Sequence, residues 1–221
     1  VEPVYEWVIN KSEMMNSDAP LIEDAIYVDD LDPYIKRKIY MVNMAHAATA
    51  YIGFAAGEET IQSTLANSQL EEFIRGVLNE VKYYVIKNLG FDSKKTDSYI
   101  EKTLKRFKND NISDKVVRVG RAPIRKLGYD ERLIKPLREL VDLGVSVEYL
   151  STAVSAGFLF NHPDDDEAVR LEEYIEEQGI EKAISNFTEL EKQSLKDKIA
   201  EGYYELKDKG CQELIKEMNS N

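Results

Sequence analysis

The chain has 221 residues, 43% hydrophobic and 32% charged, and a net charge of −12. That length holds one large core or two small ones. A chain this acidic repels nucleic-acid phosphates, which argues against a nucleic-acid partner, and its single cysteine, Cys211, allows no internal disulfide or cysteine-based metal cluster.

No apolar run approaches the ~18 residues of a transmembrane helix, and no signal peptide is visible. The expectation is a cytoplasmic protein without a membrane partner. The chain opens on Val1 and runs at once into Val-Glu-Pro-Val-Tyr-Glu-Trp-Val-Ile. This dense apolar start reads as the continuation of a longer protein, with N-terminal processing as the plainer alternative.

Residues 1–31 form a mixed lead-in. Val1–Ile9 and Leu21–Val28 carry β-branched and aromatic residues between Pro, Asn and Asp, and read as short strands or irregular segments. Asp29, Asp30 and Asp32 ahead of Pro33 signal a helix start. From there the pattern is helical to the end. The spacing predicts helices over Tyr34–Phe54, Glu58–Ala66, Gln69–Leu89 (stopped by Gly90) and Ser93–Lys108. An irregular, basic stretch spans Asn109–Gly128. Further helices are expected over Glu131–Leu143, Val147–Phe160 and Pro163–Glu177, then about two more divided near Asn186. Ala153, Ser155, Ala156 and Gly157 leave room for close helix packing. The expected architecture is one mainly α domain, 32–221, behind a small non-helical lead-in.

The stretch Lys38–Gly53 stands out. Taking Lys38 as zero on an α-helix, Asn43 falls near about 140° and His46 near about 80°, so the three polar groups share less than half the circumference. Ala45, Ala47, Ala48, Ala50 and Gly53 keep the second half slim. A lysine against apolar walls can lose its proton and then accept one from an alcohol. An asparagine amide can donate to an oxygen where charge develops, and a histidine can orient a hydroxyl or share the proton traffic. Plain structural roles fit the same residues: Lys38 as solvated surface beside Lys36 and Arg37, Asn43 bonded to backbone, and His46 as a satisfied core histidine.

Residues 115–126 invert the local charge, with Lys115, Arg118, Arg121, Arg125 and Lys126 and no acid among them. Gly120 and Pro123 interrupt helix there. Arginine forks match phosphate oxygens, so the segment could hold a sugar phosphate; it could equally be a surface stripe paired with the chain's many acids.

Lys38-x4-Asn43-x2-His46 followed by Ala-Ala-x-Ala-Tyr-Ile-Gly resembles the signature of the polyol-specific long-chain dehydrogenase family, in its mannitol-1-phosphate dehydrogenase branch. Three further stretches carry the resemblance: the opening 1–9; Arg106-Phe-x-Asn109 with Asp114; and Arg118-Val-Gly-Arg-x-Pro-x-Arg-Lys-Leu127 with Asp130-x-Arg132-Leu133. It covers residues 1–135; beyond that it rests on helical character. The resemblance implies a multi-helical C-terminal domain of the 6-phosphogluconate-dehydrogenase-like type, with short strands at its N-terminus. It implies Lys38 as general base, Asn43 as a donor to the developing oxyanion and His46 as a binder of substrate hydroxyls. It also implies a substrate-facing basic segment, with Arg118, Arg121, Arg125 and Lys126 as binders of the polyol phosphate. The implied reaction is NAD-dependent interconversion of mannitol 1-phosphate and fructose 6-phosphate, without a metal. Many family members carry Asp where this chain has Ala122, which removes a possible orienting carboxylate.

No Gly-x-Gly-x-x-Gly follows a strand in these 221 residues, although a nicotinamide enzyme needs a dinucleotide-binding fold. The expectation is therefore that an N-terminal NAD-binding domain precedes Val1 and partners this one, and that the chain alone is inactive or nearly so. His162 with Asp164, Asp165, Asp166 and Glu167 reads as an acid-capped helix start rather than a metal site. Glu172–Glu177 reads as solvated surface, and Cys211 has no activating neighbour in sequence. Two alternatives stay open: another polyol or uronate oxidoreductase of the same superfamily, and a helical interaction module without catalysis.

Overall fold

The computed structural model describes residues 6–16, 20–109, 111 and 114–220. In the lead-in, β1 (Val8–Asn10) and β2 (Ile26–Val28) pair in parallel, Val8 opposite Ile26. The strands are much shorter than the apolar segments that contain them, and the part of the first expected strand at residues 1–5 lies outside the described residues. Parallel strands ordinarily have both faces covered; here the strand residues are half-buried except Ile26, 39% exposed, and Trp7, just ahead of β1, is 51% exposed.

Helix α1 (Asp32–Arg37) begins as the acids and Pro33 suggest, with the Asp30 carboxylate accepting the Asp32 N–H at 2.9 Å. Arg37 is buried. Its guanidinium bonds both Glu6 carboxylate oxygens and stacks 4.1 Å over the Phe91 ring and 4.2 Å over Tyr99. That cage ties the lead-in to the start of the helical body.

The single helix expected over Tyr34–Phe54 is interrupted. Between α1 and α2 (Met44–Ala55), residues Lys38–Asn43 form a π turn, in which the Met44 N–H reaches back to the Ile39 carbonyl. The five-residue step replaces the α step of four. Apolar periodicity is nearly the same in both, so the sequence carried no sign of it.

Helix α2 lies at the centre. It packs on α3 (Ile61–Ala66), α4 (Ser68–Leu89), α6 (Val116–Gly120) and α9 (Glu148–Gly157), and its Ala45, Ala47, Ala48, Ala50 and Tyr51 are buried. Gly53 is where α3 and α6 close on it: a Cβ there would lie 3.0 Å from Val116 Cγ1. Around this centre stand α5 (Ser93–Phe107), α7 (Pro123–Lys126), α8 (Ile134–Asp142), α10 (Asp166–Gln178), α11 (Ile180–Thr188), α12 (Gln193–Lys209) and α13 (Cys211–Asn219). The small residues of α9 bring α12 close, with Ser155 Oγ donating to the Ile199 carbonyl at 2.8 Å.

The C-terminal part departs from expectation. Three helices stand where about two were expected, and the breaks fall at Glu189, with φ 53°, and Gly210, with φ 81°, not at Asn186. The Thr188 hydroxyl donates to the Ile184 carbonyl and accepts the Leu190 N–H, which ends α11, while Asn186 is an exposed position within it. Cys211 is buried, which pushes its thiol up to about 12. No described helix is long and apolar enough to cross a membrane.

Glu80, on α4, bonds the Tyr149 and Leu150 N–H groups at 2.9 and 2.8 Å, capping α9 from another helix. The charge of Glu148, itself paired with Lys198, also acts on Glu80. Burial pushes Glu80 up to about 7 from 4.5, against the pull of the two backbone donors. A carboxylate whose folded value is raised binds more protons folded than unfolded, so stability falls as pH rises from 4.5 to 7, by an amount on the order of 2–3 kcal/mol. Thermal unfolding followed across that range should show the decline, and Glu80→Gln should flatten it.

Candidate active site

Two cavities flank the π turn. The first, of 560 Å³, is lined by Asn43, His46 and Ala47, by the basic α6–α7 segment with Arg118, Arg121, Arg125 and Lys126, by Arg132, and by Asp164–Glu167 at the start of α10. The second, of 750 Å³, holds Lys38 beside Val42, Trp7, Tyr34, Ile35, Tyr99, Thr103 and Arg106.

The three polar residues of the central helix therefore do not share one cavity. Asn43 and His46 do; Lys38 opens into the other. Eight residues separate Lys38 from His46, a rise on the order of 10 Å. The end of α5 lies between them: Arg106 lines the cavity of Lys38 while its charge acts on His46, and the Phe107 ring stacks on the His46 ring at 4.7 Å. Lys38 is exposed, so the apolar residues beside it do not take it out of water. Removing water from it requires a second surface.

His46 is pushed down to about 4, first by burial and then by Arg118, Arg106 and Lys126. Its imidazole is thus neutral at working pH, a hydrogen-bonding group and not a standing charge. Nε2 lies 3.1 Å from an Asp114 carboxylate oxygen, and among the described residues this buried nitrogen has no hydrogen-bond partner. The Asn43 amide likewise has no partner among the described residues, and both residues line the cavity.

Asp114 pairs with Arg118. Arg125 lies 3.8 Å from Glu131, and Arg132 bonds the same carboxylate. The Lys126 ammonium is buried and donates to the carbonyls of Val119, at 3.0 Å, and Arg121. Burial first, then Arg125 and Arg132, push Lys126 down to about 8. It holds the turn between α6 and α7 closed, where the sequence suggested a freer phosphate binder.

The acids at 164–167 do more than start a helix. Asp165 caps α10 through the Glu167 and Ala168 N–H groups and accepts the Ala122 N–H on its other oxygen, at 2.8 Å. Glu167 accepts the Arg125 N–H at 2.9 Å. A carboxylate thus does reach Ala122, from 43 residues away. These residues and Arg132 are the parts of the site that sequence reasoning missed as such. The signal was Ala122 itself, a position that lacked a local carboxylate and that adopts φ 58°, where a non-glycine residue needs support from its surroundings. Among the described residues no group of three or more His, Cys, Asp or Glu is disposed to hold a metal ion.

The family model described as "Mannitol dehydrogenase C-terminal domain" matches residues 30–218, well beyond the motifs that end near 135. A mannitol-1-phosphate 5-dehydrogenase of Halalkalibacterium halodurans is 44% identical over 190 residues, covering 86% of this chain and 50% of that protein. One of Lactiplantibacillus plantarum is 41% identical over 203 residues, covering 92% and 52%. The chain thus spans about half the length of the curated relatives it matches. Among solved structures, a Pseudomonas fluorescens mannitol 2-dehydrogenase in ternary complex with NAD and D-mannitol superposes with a TM-score of 0.75 at 20% identity, over 90% of this chain and 43% of that one. A substrate-free D-sorbitol dehydrogenase gives 0.71 at 16%, over 86% and 42%. At these identities the structures speak for the fold alone.

Proposed function

The chain belongs to the mannitol dehydrogenase C-terminal domain family, and from that premise we propose that it is the substrate-binding and base-carrying half of an NAD-dependent mannitol-1-phosphate 5-dehydrogenase. The observation that carries this reading is the first cavity: an Asn43 amide and a neutral His46 facing five cationic side chains, one of them unpaired. A polyol needs the former and a phosphate the latter.

In this reading mannitol 1-phosphate loses a hydride from the reacting carbinol carbon and a proton from its hydroxyl, which leaves the ketone of fructose 6-phosphate. The Lys38 Nζ accepts the hydroxyl proton. The Asn43 amide donates to the oxygen as charge gathers on it, and His46 orients neighbouring hydroxyls. For Lys38 and Asn43, which line different cavities, to act on one substrate, the reacting carbon would have to sit between them, with the phosphate toward the basic segment. NAD, when bound, supplies the hydride acceptor. The apolar lining beside Lys38, with Trp7, Ile35 and Val42, suits a flat nicotinamide ring.

The rest of NAD would be held by an N-terminal dinucleotide-binding domain of the same polypeptide, the partner that would also cover Lys38. Two observations support it: the exposed Trp7 and Ile26 at the start of the half-buried parallel strand pair, and the half-length coverage of the relatives. The 221-residue chain alone should then show no appreciable turnover.

The test is NAD reduction by the full-length enzyme with mannitol 1-phosphate, mannitol, other hexitols and hexuronates. Preference for mannitol 1-phosphate is the expected result. A better rate with an unphosphorylated polyol or a uronate would move the enzyme elsewhere in the superfamily, and turnover by the 221-residue chain alone would remove the two-domain reading.

A further inference from the structure

We infer that Arg121 is the side chain that selects a phosphorylated substrate, and that Lys126 and Asp165 are positioning residues that hold its backbone for the task. The inference rests on the proposed function and adds to it which cation reads the phosphate and what fixes that cation in place.

Five cationic side chains line the first cavity, and four of them are engaged. Arg118 pairs with Asp114, and Arg125 and Arg132 lie against Glu131. Lys126 donates to two carbonyls. Among the described residues, the Arg121 guanidinium alone of the five has no ion pair and no hydrogen bond. A guanidinium fork presents parallel N–H donors that match two oxygens of a phosphate. An arginine already paired would have to break that pairing first; Arg121 does not.

Its backbone, by contrast, is pinned on both sides. The Lys126 ammonium holds the Arg121 carbonyl, and the Asp165 carboxylate holds the next N–H, that of Ala122. Asp165 is itself fixed by the two N–H groups it caps. These contacts keep Ala122 at φ 58°, the left-handed bend that follows Arg121. A side chain without a partner on a fixed backbone has less to order when an anion arrives. The acidic wall opposite, Asp164–Glu167, does not outweigh the five cations, and two of its four carboxylates, Asp165 and Glu167, are turned onto backbone N–H groups.

The test uses the full-length enzyme with Arg121→Gln and Asp165→Asn. Arg121 is exposed and unpaired, so its variant should fold as the parent does, and Asn is itself a good helix cap. Inorganic phosphate binding is followed by calorimetry, and KM is measured for mannitol 1-phosphate and for mannitol. Arg121→Gln should weaken phosphate binding, and raise KM for mannitol 1-phosphate, by about 10- to 100-fold, the worth of a charged hydrogen-bond pair. The KM for mannitol should move by much less. Asp165→Asn should raise KM for mannitol 1-phosphate by a smaller factor without lowering kcat at saturation.

Unchanged phosphate affinity in Arg121→Gln, or equal changes in KM for both polyols, would overturn the assignment to Arg121. A fall in kcat for Asp165→Asn with KM unchanged would overturn the positioning role. If the wild-type enzyme oxidises neither polyol, the proposed function fails, while the phosphate titration still decides Arg121.

Discussion

Lys38→Ala in the full-length enzyme should, on the proposed base role, lower kcat by about 100- to 10,000-fold, the range that a positioned general base contributes, while substrate binding persists. The structure makes this a clean experiment. Lys38 is exposed, and among the described residues its ammonium has no hydrogen-bond or ion-pair partner. It supports no packing that alanine would remove, and alanine suits a helical backbone. A side chain without structural work, on a π turn at the edge of a cavity, is readily explained by chemistry; π turns recur at functional sites. Steady-state kinetics alongside circular dichroism and a substrate-binding titration separate loss of catalysis from loss of fold. If turnover is unchanged, the helical-module reading gains and the base role is gone.

Phe160→Ala is the second large effect, and it falls on stability. Phe160 is 1% exposed and lies past the end of α9. Its ring meets Phe54 at 4.8 Å and Tyr51 at 5.6 Å, both on the central helix. It also fills the space above Gly120, where a Cβ would lie 2.5 Å from the ring. One side chain thus joins the helix of Asn43 and His46 to the last residue before Arg121. Removing a buried phenylalanine costs about 3–5 kcal/mol, a fall in Tm of roughly 6–20 °C for a chain of this size. The basic segment loses its seat as well, so KM for mannitol 1-phosphate should rise in whatever fraction remains folded. A Tm within a degree or two of wild type would mean that the surroundings collapse into the space.

Much of the fold was legible. The run Leu70, Phe73, Ile74, Val77, Leu78, Val81 reads directly as the buried face of α4, and Gly90, with φ 75°, ends it as expected. The mixed lead-in and the acid-capped start of α10 were also legible. The misses have physical causes. A π turn changes which carbonyl an N–H reaches, here within a segment whose Tyr40 and Met41 are buried, and residue type does not mark that change. The break after Thr188 depends on a hydroxyl that looks from sequence like any other helical threonine.

In the site, residue types pointed to the right neighbourhood for Asn43, His46 and the basic segment, which line one cavity. They did not reveal that Lys38 faces another, because angle around a helix says nothing of distance along it. Nor did they separate Arg121 from its neighbours: Arg118 and Arg132 pair with acids close in sequence, Asp114 and Glu131, which residue types alone do not single out, and the carboxylate of Asp165 reaches Ala122 only through the tertiary fold.

The most direct test of the central claim is chemical rescue of the Lys38→Ala full-length enzyme by a small primary amine, read as the rate of NAD reduction with saturating mannitol 1-phosphate. Turnover should return in proportion to the concentration of unprotonated amine, because the missing function is a proton acceptor at that position. Two results would contradict the base role: a variant that retains the wild-type rate without amine, or one that binds substrate normally, has lost turnover and gains none at any amine concentration.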